Sequence, residues 1–461
     1  MKGVQRLKRR NSLGRIQFIT LGCSKNRVDS EHIISRIASA GNEIVLSESF
    51  PRYDSNGNVI VMDAAVLNTC GFINDAKEES VNALLSAVEA KNKGYVKTVY
   101  AFGCLVQRYR KELVEEIPEV DGFFGLFEID NLLNALGVEG RIGGSADRYQ
   151  TTPGHYAYLK ISEGCNRRCA YCAIPHIRGA HKSVPIEQLV EEGELLAARG
   201  VKELIVVAQD TTYYGLDLYG GRKIAGLLER LSKIEGIEWL RLHYSYPAQF
   251  PKELLEVMAD NPKICKYLDI PLQHSSGKVL KSMKREIDGA ESQKLIDDIR
   301  AAVPGIALRT TMIVGFPTES DAEFEELLKF VQKNRFERLG AFTYSEEEGT
   351  YGARHYADTI SRELKEERYN ALMELQSQIS GMWNESRVGS EERVIIDSFS
   401  DGVFTARSQY ESPEVDGEIL IEESSFYKRF GNGANPYDFI GTFAKVGITE
   451  CYEYDLKAEF I

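Results

Sequence analysis

Three closely spaced cysteines carry the clearest chemical signal in this sequence. Cys165, Cys169 and Cys172 form a CxxxCxxC triplet just after an expected β-strand at residues 158–162. Three thiolates can bind three irons of a cubane iron–sulfur cluster, which leaves the fourth iron without a protein ligand. An open metal position is what a centre needs to activate a substrate, whereas an electron carrier closes its cluster with a fourth cysteine. The triplet therefore predicts a catalytic cluster, with a zinc knuckle or chance spacing as the alternatives.

Three further cysteines each follow a strand-like run in the first part of the chain. The runs are residues 16–21, 64–67 and 98–102, and they are followed by Cys23, Cys70 and Cys104. Helix-like runs alternate with them, which predicts an open parallel α/β sheet. The carboxyl ends of parallel strands meet at one edge of a sheet, so we expect the three thiols to converge in a second three-thiolate cluster. Taken singly, each cysteine could instead be a small buried hydrophobe, as we expect for Cys265 and Cys451.

The middle of the chain repeats a strand–helix unit six times. The expected strands are residues 157–162, 204–208, 239–244, 267–271, 307–314 and 338–344. Six units do not complete an eight-fold barrel, so we expect a partial (βα)6 barrel with its chemistry at the carboxyl-terminal mouth. Cys165 falls at that mouth.

The last part of the chain is short-stranded and acidic. Strand-like runs at residues 393–396, 417–421 and 439–446 are separated by Gly, Ser, Asn and Pro, which predicts a small antiparallel β-barrel. From residue 390 on, fifteen Asp and Glu stand against six Lys and Arg, so −9 of the net charge of −13 lies there. Such a domain is expected to attract a basic partner, and a pI of about 5.3 argues against binding of phosphate backbones.

Composition also bears on the compartment. Eight cysteines in 461 residues are too few for a disulfide scaffold. The basic residues at positions 2–10 precede no apolar run, so they form no secretory signal, and no apolar stretch of about 18 residues predicts a membrane span. We expect a cytoplasmic protein with reduced thiols.

The residues around the cysteines resemble the methylthiotransferases of the radical S-adenosylmethionine (SAM) superfamily. The matching segments are Leu-Gly-Cys-Ser-Lys-Asn-Arg-Val-Asp-Ser-Glu at 21–31, Asn-Thr-Cys-Gly-Phe-Ile at 68–73, Gly-Cys-Leu-Val-Gln-Arg-Tyr at 103–109 and Ile-Pro-His-Ile-Arg-Gly at 174–179. The acidic part resembles the TRAM domain of these enzymes. The resemblance therefore covers the whole chain. It implies an N-terminal methylthiotransferase domain at 1–150, a radical SAM barrel at 151–387 and a TRAM-like docking barrel at 388–461.

The resemblance also implies cofactors and their ligands. It implies two 4Fe-4S clusters and SAM, with Cys165, Cys169 and Cys172 as the catalytic set and Cys23, Cys70 and Cys104 as ligands of the auxiliary cluster. The expected SAM contacts are Tyr171, Gln209, Asp210, Arg309 and Gly315. For the last four of these residues, ordinary barrel packing and loop capping are equally open. His274 ends the fourth barrel strand and is expected to be structural.

Three features favour the branch of the family that modifies an aspartate of ribosomal protein S12 over the branch that modifies tRNA adenosine. They are the motif Lys-Asn-Arg-Val-Asp-Ser-Glu at 25–31, the motif Glu-Glu-Gly-Thr at 347–350 and the acidic C-terminal part. The implied partners are S12, a sulfur donor and a low-potential electron donor, with no membrane and no nucleic acid as direct substrate. We expect charge reversal at Glu414, Asp416 and Glu418 to weaken S12 binding. A tRNA enzyme, an iron–sulfur electron carrier and a zinc-stabilised assembly factor remain the alternatives.

Overall fold

The computed structural model describes residues 14–138 and 148–461, which belong to two compact units. The first unit comprises Met1–Thr151 and the second comprises Thr152–Ile461. The basic stretch at positions 2–10 lies outside the described residues. No helix in the described part of the chain is long and apolar enough to cross a membrane.

The first unit is built on an open parallel sheet. Its strands are β1 (Arg15–Thr20), β2 (Glu43–Leu46), β3 (Arg52–Tyr53), β4 (Val59–Ile60), β5 (Met62–Thr69), β6 (Val96–Gly103) and β7 (Gly122–Phe124). Its helices are α1 (Ser24–Ser39), α2 (Asn74–Asn92), α3 (Cys104–Glu116) and α4 (Ile129–Ala135). Five strands pair in parallel in the order β2-β1-β5-β6-β7, and β3 and β4 form a separate hairpin.

Both faces of this sheet are apolar, as a parallel sheet covered by helices requires. Along β5, Ala65 and Leu67 face one hydrophobic cluster, and Ala64 and Val66 face the other. All four side chains are buried. The strand therefore has no polar face, and its run of small and branched apolar residues makes it the centre of the sheet.

The second unit begins with a six-stranded parallel sheet, as predicted for a partial barrel. Its strands and the nearby short hairpin are β8 (Tyr156–Lys160), β9 (Ser162–Glu163), β10 (Lys182–Ser183), β11 (Glu203–Val207), β12 (Trp239–Leu242), β13 (Ile264–Asp269), β14 (Ala307–Val314) and β15 (Arg338–Thr343). The helices are α5 (Ile174–Arg178), α6 (Ile186–Ala198), α7 (Leu216–Tyr219), α8 (Ile224–Leu231), α9 (Lys252–Asp260), α10 (Gly277–Ser282), α11 (Gly289–Ala302), α12 (Asp321–Asn334), α13 (Tyr351–His355) and α14 (Arg362–Arg387). The parallel order is β15-β14-β13-β12-β11-β8, with β9 and β10 paired outside it.

The C-terminal residues of the second unit close into a small barrel. Its elements are β16 (Glu391–Ser400), β17 (Val403–Arg407), β18 (Ile419–Glu422), α15 (Glu423–Phe430), β19 (Phe443–Cys451) and β20 (Leu456–Phe460). The closed order is β16-β17-β18-β20-β19, in which only β18 and β20 pair in parallel. The predicted fold class, an open parallel sheet followed by a partial barrel and a small β-barrel, is confirmed.

The small barrel packs against the beginnings of the parallel strands. Trp239 opens β12, and its ring lies 4.8 Å from the ring of Phe443. Glu203 opens β11 and pairs with Arg407 at 2.8 Å. The carboxyl ends of the parallel strands, where barrel chemistry is expected, therefore lie at the opposite end from these contacts.

Candidate active site

In the first unit, the three cysteines follow three adjacent strands of the sheet. Cys23 follows β1, Cys70 follows β5, and Cys104 is the first residue of α3 after β6. The predicted convergence of these strand ends is therefore present in the topology. Because the strands are neighbours and parallel, all three thiols belong to one edge of the sheet.

Two glycines let the cysteine loops approach closely. Gly22 has φ +86°, and a Cβ placed on it would lie 2.7 Å from the Cβ of Cys70 and 2.9 Å from its Sγ. A Cβ on Gly71 would lie 2.7 Å from the Cα of Leu105, next to Cys104. Any side chain at either position would push the cysteine loops apart.

Two asparagines hold the same loops by hydrogen bonds, and cysteine spacing alone did not reveal them. Asn26 Nδ2 donates to the carbonyl of Leu21 at 3.0 Å, and its Oδ1 lies 3.6 Å from Cys104 Sγ. Asn68 Nδ2 donates to the carbonyl of Asn26 at 2.8 Å and to Ser30 Oγ at 2.9 Å. Both asparagines are fully buried, so their amides fix the positions of the strand ends.

In the second unit, the CxxxCxxC loop lies at the carboxyl ends of the barrel strands. Gly164, at φ +71°, brings the backbone close to Gly179, and the amide of Cys165 donates to the carbonyl of Gly179 at 3.1 Å. Farther along the loop, the amide of Ala170 donates to the carbonyl of Met283 at 2.8 Å. The loop is therefore held by backbone bonds to two other segments.

Of the three cysteines of this loop, Cys165 is buried, and Cys169 and Cys172 are half-buried. Burial raises the pKa of Cys165 to about 12 and also raises the pKa of Cys172, and the neighbouring Cys169 adds to both shifts. Cys165 and Cys172 are therefore protonated at neutral pH until a cation displaces the protons, so metal binding here releases protons.

The three cysteines of this loop supply thiol donors that fit three irons of a cubane, each iron taking one thiolate. Within residues 14–138 and 148–461, no three His, Cys, Asp or Glu side chains are grouped so that they could hold a single metal ion. The zinc knuckle stays an alternative.

An ion pair between Arg167 and Asp210 holds the cysteine loop in place. Arg167 Nε donates to Asp210 Oδ2 at 2.9 Å, and its Nη1 donates to Glu286 at 2.6 Å. Thr212 Oγ1 donates to the other oxygen of Asp210 at 2.6 Å. The carboxylate of Asp210 is 2% exposed and already has two partners, so it holds the cysteine loop. Its role as a SAM contact stays a prediction.

The other predicted SAM contacts lie at different positions along the barrel strands. Gln209 follows β11, and Gly315, at φ +76°, follows β14. Tyr171 lies within the cysteine loop, and its hydroxyl accepts a hydrogen bond from Arg285 at 3.4 Å. Arg309 instead lies near the beginning of β14, where it pairs with Asp269 at 3.0 Å. The structure thus brings three of these residues to the mouth and places Arg309 deeper in the barrel.

Several buried polar atoms at the mouth have no hydrogen-bond partner among the described residues. They are Ser162 Oγ, Gln209 Oε1, Ser275 Oγ and Arg285 Nε. Buried polar groups normally have partners, and groups without one call for an explanation such as a ligand. A polar ligand such as SAM fits this mouth.

Two carboxylates of the acidic C-terminal barrel contact tyrosines of the parallel strands, which corrects the prediction for Asp416. The Glu414 carboxylate accepts hydrogen bonds from the hydroxyls of Tyr156 at 3.3 Å and Tyr158 at 2.9 Å. Asp416 accepts from Tyr267 at 2.7 Å, and its side chain is 2% exposed. The expectation that Asp416 lies at a docking surface is wrong, because its side chain is buried against a barrel tyrosine. Glu414 is exposed, and its part in docking stays a prediction. Glu418 is also exposed.

Comparison with known proteins agrees with this geometry. Family models match Uncharacterized protein family UPF0004 at residues 15–125, the Radical SAM superfamily at 159–331 and the TRAM domain at 388–461. The structure of the radical SAM methyltransferase TsrM from Kitasatospora setae aligns with a TM-score of 0.53 at 13% identity, over 88% of this chain and 82% of that one. The fold and the cysteine loop define a radical SAM enzyme.

Curated relatives refine the class. Ribosomal protein uS12 methylthiotransferase RimO of Phocaeicola vulgatus is 47% identical over 97% of this chain and 99% of its own length. The RimO proteins of Porphyromonas gingivalis, at 50% identity, and Flavobacterium johnsoniae, at 48%, cover 92% and 96% of this chain and 98% of their own lengths. The chain belongs to the RimO family and is a radical SAM methylthiotransferase.

Proposed function

We propose that this chain attaches a methylthio group to the β-carbon of an aspartate of ribosomal protein S12. The names of relatives that are 47–50% identical support this substrate. The C–H bond at that carbon is not acidic enough for a side-chain base, so the reaction calls for a radical. The observation that carries the proposal is that each of two cysteine sets lies at the carboxyl ends of parallel strands.

Cys165, Cys169 and Cys172 would hold the radical-generating cluster. When bound, this cluster and SAM supply a carbon radical that removes hydrogen from the substrate. The chain contributes a loop fixed by the Arg167–Asp210 ion pair and a mouth whose buried polar atoms are available to SAM.

Cys23, Cys70 and Cys104 would hold a second 4Fe-4S cluster, the source of the transferred sulfur, while a second SAM supplies the methyl group. Asn26 and Asn68 would keep these cysteines in place. The reaction consumes sulfur and electrons, so a sulfur donor and a low-potential electron donor are further partners.

An anaerobic assay with two substrates tests the function. The reconstituted chain is incubated with reductant, SAM and sulfide, together with purified S12 and bulk tRNA, and both are analysed by mass spectrometry. We expect a methylthio mass gain on one S12 aspartate and none on tRNA. Gain on adenosine alone would instead make the chain a tRNA enzyme.

Cysteine variants separate the two sets. We expect Cys165→Ala to abolish SAM cleavage, and Cys23→Ala to abolish sulfur transfer while SAM cleavage continues. Cys265→Ala serves as the control, because this buried cysteine belongs to neither set. If Cys23→Ala transfers sulfur normally, the second cluster is not at these residues.

We further propose that S12, as a basic partner, binds the outer surface of the acidic C-terminal domain. Its net charge of −9 supports this choice, because complementary charge steers association. Glu418 and Glu453 are exposed carboxylates of this domain. Burial raises the pKa of Glu418, and nearby Asp455 raises it further, which indicates concentrated negative charge.

Charge reversal tests this docking surface. We expect the double variant Glu418→Lys, Glu453→Lys to weaken S12 binding, most strongly at low salt, with SAM cleavage unchanged. The matched control is Glu229→Lys, Glu235→Lys, which makes the same charge change at exposed positions on and after α8. Equal binding by both variants contradicts docking through this surface.

A further inference from the structure

Arg285 carries a buried charge that no carboxylate neutralises. The residue is 8% exposed, and it forms no ion pair with any Asp or Glu in the described part of the chain. Its acceptors are Cys169 Sγ at 3.6 Å, the Tyr171 hydroxyl at 3.4 Å and the carbonyl of Pro271 at 2.5 Å. Burying a cation without a counter-charge is costly, so this site calls for an anion.

The neighbouring Arg167 is paired with carboxylates, whereas Arg285 is not. The guanidinium of Arg285 lies 4.1 Å from the ring centroid of Tyr246, and that of Arg167 lies 3.9 Å from the same centroid. Arg167 pairs with Asp210 at 2.9 Å and with Glu286 at 2.6 Å. Of the two arginines on this ring, Arg285 is the one whose charge remains free to act on the cysteine loop.

The backbone presents Arg285 to the loop by a Schellman motif at the end of α10. Lys284 takes a left-handed conformation at φ 55°, and its amide donates to the carbonyl of Lys281 at 3.1 Å. The amide of Arg285 donates to the carbonyl of Leu280 at 2.9 Å, which completes the motif. The preceding Met283 carbonyl accepts the bond from Ala170, so helix end and cysteine loop are joined.

We propose that Arg285 is a positioning residue that raises the reduction potential of the cluster held by Cys165, Cys169 and Cys172. This rests on the proposed function, which assigns a cluster to these cysteines. One electron from the low-potential donor makes the cluster more negative, and a nearby cation with an N–H···S bond stabilises that reduced state. Hydrogen bonds to the sulfurs and net charge are established determinants of cluster potential.

The effect of Arg285 on the reduction potential bears on whether the electron donor can reduce the cluster. Three thiolates and burial both favour the oxidised cluster, which makes it hard to reduce. Arg285 opposes this effect at the ligand Cys169 and keeps the cluster within reach of its donor. Its free Nε, buried and without a partner among the described residues, remains available for a further acceptor at the mouth.

A redox titration of the full chain tests the proposal. The midpoint potential of the SAM-responsive electron paramagnetic resonance signal is measured without substrate, so a chain that modifies no S12 still reports it. Arg285→Met removes the charge and the N–H···S bond but keeps an apolar stem. At a fixed potential, we expect the ratio of reduced to oxidised cluster to fall at least about tenfold, or about 59 mV for one electron.

Two further variants complete the design. Arg285→Lys keeps the charge and should lie between wild type and Arg285→Met. Lys281→Met removes a nearby exposed cation on α10 and should leave the potential unchanged. A wild-type midpoint in Arg285→Met at full iron content overturns the proposal. If that variant does not retain iron, a wild-type midpoint in Arg285→Lys overturns it.

Discussion

Replacing Glu411 by Gln should destabilise the second unit, because this carboxylate joins the C-terminal barrel to the parallel strands. Glu411 is 1% exposed and pairs with Arg338, the first residue of β15, at 3.1 Å. It also pairs with Arg387 at the end of α14, and it accepts the Ser408 hydroxyl at 2.7 Å. Glutamine removes the charge and leaves two buried guanidinium groups without this partner.

The size of the effect follows from the pKa. Burial alone would raise the pKa of Glu411, but Arg387 and Arg338 lower it from 4.5 to about 2. A shift of that size corresponds to about 3 kcal/mol, and breaking a buried ion pair costs about 3–5 kcal/mol. Because the folded pKa is depressed, this stability is fully present above pH 4.5 and is lost as the pH falls through about 2.

Calorimetry of the full chain measures the loss. At about 2 °C per kcal/mol, we expect the transition of the second unit to fall by roughly 6 °C at pH 7. The gap to wild type should narrow below pH 4.5. Glu391→Gln is the matched control, since its ion pair with Lys445 is about 60% exposed on both sides and such pairs contribute about 0–1 kcal/mol. If both variants unfold with wild-type transitions, the buried network does not stabilise this unit.

Two further predictions concern the cysteine loops and the mouth. Gly71→Ala should lose about half of the bound iron and all sulfur transfer, because the new Cβ would meet the Leu105 backbone. SAM cleavage should continue. Iron analysis and a cleavage assay measure these effects, and full iron content would contradict the prediction. Glu319→Gln should weaken SAM binding about tenfold, because Glu319 accepts the Gly315 amide at 3.0 Å and pairs with buried Arg368 at 2.7 Å. Calorimetric titration with SAM measures the change, and an unchanged affinity would show that Gly315 does not depend on this carboxylate.

The sequence allowed the three-part fold and the convergence of strand ends to be predicted, because both follow from local patterns. Cys70 comes after a strand that is apolar on both faces, and such a strand must lie inside a parallel sheet. The position of Cys70 at the sheet edge then follows from the direction of the chain. The sequence also indicated helices between the strands, although α1 begins at Ser24, before the helix-like run at residues 30–40, because the chain enters the helix right after Cys23.

The residues that support the cysteine loops could not be predicted in this way. Arg285 lies 116 positions from Cys169, and no periodicity relates the two. Their contact depends on the Schellman turn after α10, which a non-glycine residue, Lys284, occupies in the left-handed conformation. The usual glycine signal for such a turn is missing, so no local feature of the sequence indicates where Arg285 points.

A charge count does not distinguish exposed carboxylates from paired ones, and the acidic C-terminal domain contains both. Arg407 is 2% exposed and joins Asp397 of its own barrel to Glu203 of the parallel strands. Cutting the chain near residue 390 would separate Glu203 from Arg407 and leave buried charges without partners, at a cost of several kcal/mol. An isolated C-terminal domain would therefore expose an arginine that the full chain conceals, and it would bind anions that the intact protein does not. Docking of S12 or tRNA is consequently a property to be measured on the full chain, where the surface carboxylates are the ones a partner can reach.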